Sequence, residues 1–161
     1  MASLKEFLRE KAETLRTQES ETAKKRDEWV AAVNRLCNQI KEWLTQADPG
    51  KVLSVEDRPY EIREEGIGTY KVCGISISVG PRHVDVQPVA RNVAGPLSGT
   101  GVIHVYRAYG RVDLSNGLEK FMLFRVEKEP DDRWSIIGQD RPLMELLDQS
   151  TFEAALQSLL E

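Results

Sequence analysis

Ile75-Ser-Ile-Ser-Val-Gly-Pro-Arg-His-Val-Asp-Val86 decides how the middle of the chain folds. If Gly80-Pro81 makes a tight turn, Val79 lies opposite Arg82, Ile77 opposite Val84 and Ile75 opposite Val86. All five aliphatic residues then share one face, and Ser76, Ser78, His83 and Asp85 share the other. Strand side chains alternate, so a slip of one residue would turn every apolar group to water. Turn and pattern agree on one register.

Outward from this hairpin, Thr69 to Val79 and Arg82 to Val89 read as its two full strands. Lys51 to Glu56 and Tyr60 to Arg63 are shorter candidates before it. A second hairpin is expected at Asn116-Gly117, with Ser115 opposite Leu118, Asp113 opposite Lys120 and Val112 opposite Phe121. Phe121-Met-Leu-Phe124 is apolar on both faces, as in a central strand covered on each side. Arg133 to Gly138 supplies a last strand after the turn at 129–132. None of these strands is separated by a crossover helix, so residues 51–138 predict a twisted antiparallel sheet of about five to seven strands.

Before the sheet, Ser3 to Ala47 contains neither Gly nor Pro. Ser3 and Glu6 have the spacing of a capping box, and Asp48-Pro49-Gly50 is a strong stop. Leu4, Leu8, Ala12 and Leu15 recur at helical spacing, and so do Trp29, Val33, Leu36, Ile40 and Trp43. Between the two stripes the same positions hold Glu19, Thr22 and Arg26. Two readings fit: one helix roughly 60 Å long whose middle crosses solvent, or two helices bent near 17–22 on one core. After the sheet, a helical turn is expected past Pro142. Ser150 and Glu153 then predict a capping box opening a final helix that buries Phe152, Ala155, Leu156 and Leu159 or Leu160. The fold class is α+β, a single domain over 1–161, with helical segments at 1–47 and 142–161.

Composition narrows the function classes. The net charge is −4; residues 1–44 hold nine Lys/Arg and eight Asp/Glu, leaving thirteen and eighteen for the rest. Neither part has the basic field that nucleic acid or an anionic membrane surface requires, so neither partner is expected. The first ten residues lack an export-type apolar run, and no uncharged stretch approaches 18 residues. A cytoplasmic protein is the expectation. Cys37 and Cys73 form no CxxC and lack a His at ligand spacing, so no metal, no other cofactor and no disulfide is expected.

No motif names a reaction. Gly95-Pro-Leu-Ser-Gly-Thr-Gly101 runs into a strand with no Lys following, and reads as a connection rather than a phosphate loop. His83 and Asp85 share a strand face beside Ser76 and Ser78, yet flat strands supply neither a nucleophile elbow nor an oxyanion hole. Lys24-Lys25-Arg26 is balanced by Asp27 and Glu28 as a solvated helix face. His104 and Tyr106 would line a ligand pocket between helix and sheet if their strand runs regularly through Gly110. A bulge there would turn them outward. Trp29 and Trp43 sit on one helix stripe, suited either to core or to interface.

The expected function is therefore noncatalytic: an interaction or assembly module using its long N-terminal helix. Leu4, Phe7, Leu8, Leu15 and Trp29 form the surface, and the partner is a second copy or another protein. The alternative is a small-molecule binder or minor enzyme using His104 and Tyr106.

Overall fold

The computed structural model describes residues 3–97, 104–128, 130–138 and 143–161, with backbone alone for 93–97 and 104–107. Helix α1 spans Leu4–Ala47 without interruption. Eleven strands follow among the described residues: β1 Ser54–Asp57, β2 Tyr60–Glu64, β3 Gly68–Val72, β4 Ile75–Val79, β5 Arg82–Ala90, β6 Val93–Leu97, β7 His104–Ala108, β8 Arg111–Ser115, β9 Lys120–Glu127, β10 Arg133–Gly138 and β11 Glu145–Leu146. Helix α2, Gln149–Leu160, closes the chain. Seven strands form one antiparallel sheet in the order β1-β4-β5-β8-β9-β10-β11, and β2–β3 and β6–β7 make separate two-stranded ladders. The fold is α+β.

The Gly80-Pro81 hairpin has the register its pattern requires: Ile75 pairs with Val86, Ile77 with Val84 and Val79 with Arg82. Ile75, Ile77, Val84 and Val86 are fully buried beneath the helices. Val84→Asp should therefore cost several kcal/mol by burying an unpaired charge, of order the few kcal/mol typical of such sites. Asp85→Ala should cost under about 1 kcal/mol, since its partner is the exposed Arg58. Equal shifts of the urea midpoint for the two variants would contradict this register.

Four local expectations need correction. The run from Thr69 to Val79 is two strands broken at Cys73-Gly74. A Cβ on Gly74 would lie 2.5 Å from the Arg58 carbonyl oxygen and against the Tyr60 ring, and Arg58 N–H donates to the Gly74 carbonyl at 2.9 Å. The chain bends where glycine admits a neighbouring strand. At the second hairpin Ser115 pairs with Lys120 and Val112 with Leu123, because the loop is Asn116 to Glu119. The Asn116 carboxamide oxygen accepts from the Leu118 and Glu119 amides, and its nitrogen donates to the Leu159 carbonyl. Residues after 142 form β11 on β10 rather than a helical turn. Finally, α2 starts two residues earlier, on a capping box between Asp148 and Thr151.

The main core lies between the sheet and the two helices. Trp29, Val33, Leu36, Ile40 and Leu44 of α1 meet Phe152, Leu156 and Leu159 of α2 over the inner sheet face. Rings of Trp43 and Phe152 lie 5.5 Å apart and join the helices. Strand β9 is covered on both sides, as its composition predicts: Phe121 and Leu123 face this core, while Phe124 joins Ala108 and Ile137 in a smaller cluster. Cys37 and Cys73 are unbonded thiols packed together. Burial, then the hydrogen-bonded Cys73 thiol, pushes the Cys37 thiol far above its ordinary value. Thiol titration should find two free groups after unfolding and slow reaction at Cys37 before it; zero groups would contradict this assignment.

Candidate interaction surface

Helix α1 begins on a standard cap. Ser3 is extended and its hydroxyl oxygen accepts from the Glu6 amide at 3.2 Å. From there to Glu21 every residue is exposed, and burial starts only around Thr22, where the β2–β3 turn reaches the helix. The free stub is thus about 18 residues, or roughly 27 Å of helix. It forms without tertiary cover because it propagates from an anchored helix and bears no nucleation cost. Of the two readings of residues 3–47, the single helix holds.

The stub's stripe is bare. Leu4 is 71%, Phe7 50%, Leu8 55% and Leu15 57% exposed. At 3.6 residues per turn they lie on the same side as Trp29, Val33 and Ile40, so one apolar stripe runs off the end of the sheet. On the same wheel Lys11 stands in this stripe and Glu19 at its edge, Lys5 and Glu10 flank it on opposite sides, and Glu6, Arg9, Glu13 and Arg16 lie further round. Lys11 also sits over the Phe7 ring, 5.8 Å from its centroid.

Trp29 does not share that surface. It is fully buried, 6.0 Å from Trp134, and forms the root of the stub. Its indole N–H donates to Tyr70 Oη at 3.1 Å, and Tyr70 donates in turn to Glu64 Oε2 at 2.9 Å. Glu64 also accepts from the backbone amides of Arg91 and Asn92. This chain ties α1, the β2–β3 ladder and the end of β5 together. Gly110 lies directly beneath Trp29 with φ 149°, a conformation that favours glycine.

A second anchor carries charge. Arg125 is fully buried on β9 and donates to Glu28 of α1 and to Asp132. Asp132 in turn accepts from Arg35 at 2.7 Å. The hydrogen bond from Arg125 chiefly lowers the Glu28 carboxyl. Burial works against the charge on Asp132, but hydrogen bonds from Arg35 and Arg125 outweigh it and hold that carboxyl below its ordinary value too. The alternation Phe121, Leu123, Arg125 places this Arg on the inner face, a signal present in the sequence.

Because both folded-state carboxyl values are depressed, their stabilising contribution is complete above the unfolded range, roughly pH 4–4.5. It is lost as pH falls through the lower folded values. The melting temperature should be nearly flat from pH 7 to about 5 and fall steeply below about 4. Glu28→Gln/Asp132→Asn should start lower at neutral pH and flatten that acid limb. An unchanged acid limb in the variant would contradict the assignment.

Among the described residues, the remaining sequence candidates are not assembled into chemistry. Asp85 Oδ2 accepts from Arg58 at 3.1 Å, and His83, opposite Ser78, is exposed. The side chains of His104 and Tyr106 lie outside the described residues; their backbone pairs with Leu97 and Gly95 in the β6–β7 ladder. Ala108 clusters with Phe124 while Val112 faces the main core, so the alternation does flip at Gly110. Most of the Gly95–Gly101 segment likewise lies outside the described residues. Among the described residues no group of His, Cys, Asp and Glu could hold a metal ion, and no helix is long and apolar enough to cross a membrane. Compared with known proteins, the chain matches no family model, no curated sequence and no solved structure.

Proposed function

We propose that this protein is a noncatalytic assembly module whose rigid N-terminal stub binds a protein partner, a second copy of the same chain in the first instance. One observation carries this reading: an 18-residue helix, rooted by Trp29 and Arg125, holds Leu4, Phe7, Leu8 and Leu15 in water. Fully burying such a side chain returns about 1.5–3 kcal/mol. These four are half to about two-thirds exposed, so together they offer roughly 3–7 kcal/mol gross. Rigid-body association costs about 4–15 kcal/mol, so the partner must add apolar surface of its own. The two unbonded thiols accord with a reducing, cytoplasmic setting.

Light scattering after size exclusion tests the reading. The wild type should give a mass above 18.2 kDa at tens of micromolar. Leu8→Asp/Leu15→Asp should reduce it to monomer while leaving the sheet folded. Self-association that survives this double substitution would remove the stub from the interface.

A further inference from the structure

Resting on that reading, we infer that two copies pair stub against stub and antiparallel, with Leu8 of each beside the partner's Leu15. The position of the body fixes the direction. Beyond Thr22 the stripe face of α1 is covered by its own sheet, with Trp29, Val33 and Ile40 fully buried. Packed helices lie about 8–10 Å apart, and α1 runs unbroken to Ala47. A parallel partner would therefore continue past residue 22 into the space this sheet occupies. An antiparallel partner runs the other way, and its own body comes to lie beyond the tip of the first stub.

Charge favours the same direction. Residues 4–12 hold three basic and two acidic side chains, a net of +1, and residues 13–21 hold one and three, a net of −2. Antiparallel pairing sets the tip half of each stub against the root half of the other, whereas parallel pairing sets like against like. Lys5, Ala12 and Glu19 recur at seven-residue spacing along one flank of the stripe. In an antiparallel pair that flank meets itself, so Lys5 of each copy faces the partner's Glu19. Ala12, midway between them, meets its own copy at the two-fold axis, where a small side chain lets the helices close. Lys11 stays on the seam, its stem apolar and its ammonium drawn 5.8 Å over the Phe7 ring of its own chain. A parallel pair in register would set it level with its own copy.

One register satisfies both the stripe and the length of the stub. With the axis at Ala12, Leu8 lies within about 1.5 Å of the level of the partner's Leu15, one residue's rise. Leu4 stands level with the partner's Ser20, so the overlap ends just before Thr22, where burial against the body begins. An open hollow of about 680 Å³ lies there, lined by Thr22 and by Gly66, Ile67 and Gly68 at the β2–β3 turn. It receives the tip of the partner's stub, where Leu4 is 71% exposed in the single chain. The same patch serves both copies, so the pair is closed and growth stops at two.

Oxidative cross-linking reads the direction. Leu8→Cys and Leu15→Cys are oxidised separately and as an equimolar mixture, with the wild type as background for Cys37 and Cys73. The mixture should yield about tenfold more covalent dimer than either variant alone, since only unlike positions come within disulfide reach. Variants that each link to themselves, and no better when mixed, would mark a parallel pair, overturning the direction but leaving the stub as the interface. Chains that associate yet link in no sample overturn stub-to-stub pairing. A wild type that stays monomeric at every accessible concentration overturns it together with self-association. Should the cysteines themselves abolish pairing, Lys5→Glu and Glu19→Lys, which spare the seam, take their place in sedimentation velocity. Each alone should pair about three- to tenfold more weakly than wild type. Their mixture should recover, because both flank contacts then join opposite charges; a mixture no tighter than its parents overturns the antiparallel register. Association that survives Leu8→Asp/Leu15→Asp would instead overturn the underlying reading of the stub.

Discussion

Gly110→Ala is expected to be among the most damaging single-methyl changes in the protein, at roughly 3–5 kcal/mol of stability. The added Cβ would stand 2.7 Å from Trp29 Cε3 and closer still to Cζ3 and Cη2. Trp29 cannot retreat: Trp134 flanks it at 6.0 Å and its N–H is held by Tyr70. The backbone cannot retreat either, since the Gly110 carbonyl accepts from the Arg125 amide at 2.9 Å. A φ of 149° adds strain that only glycine avoids. Shortening the indole should recover part of the loss, so Gly110→Ala/Trp29→Leu should be less destabilised than the sum of its parts, with a coupling of about 1–3 kcal/mol. Chemical denaturation measures all four corners of that cycle. A Gly110→Ala chain within about 1 kcal/mol of wild type would contradict the close approach.

Asp132→Ala should cost about 3–5 kcal/mol, through a different mechanism. Arg125 is fully buried, and its Nη1 has no hydrogen-bond partner among the described residues. It depends on Glu28 and Asp132 for charge compensation, and Glu28 is 38% exposed at its side chain and so the weaker shield. Removing Asp132 also releases Arg35 from the loop before β10. Arg125→Met, which removes the buried charge itself, should be milder despite deleting the centre of the network. The ordering is the test. If Arg125→Met unfolded at lower urea than Asp132→Ala, the guanidinium would be a net source of stability rather than a charge that must be compensated.

What was legible in the sequence depended on whether the deciding interaction was local. The Gly80-Pro81 register was readable because a one-residue slip exposes Ile75, Ile77, Val84 and Val86 together. The Asn116-Gly117 hairpin escaped because a shift of two residues keeps Val112, Leu114, Phe121 and Leu123 on their original face. The pattern was blind to it, and the loop was chosen by Asn116 reaching Leu159 on α2. The break at Cys73-Gly74 likewise depends on Arg58 and Tyr60 arriving from another strand. Asp148-Gln-Ser-Thr151 and Ser150-Thr-Phe-Glu153 both have capping spacing, and the earlier pair took the role. For the candidate site, the bare leucine stripe was visible as a pattern. That Trp29 anchors rather than binds was not, since its depth is set by Gly110 and Trp134.

Amide hydrogen exchange at two protein concentrations tests the central claim most directly, because it reports which segment becomes covered. In dilute solution residues 5–21 should exchange far faster than residues 29–44, which lie in the core. Raising the concentration a hundredfold should slow exchange at 5–21, leaving 29–44 unchanged. Stub exchange that is independent of concentration, in a sample whose mass rises above the monomer, would contradict the account, because the chains would then be meeting through some other surface.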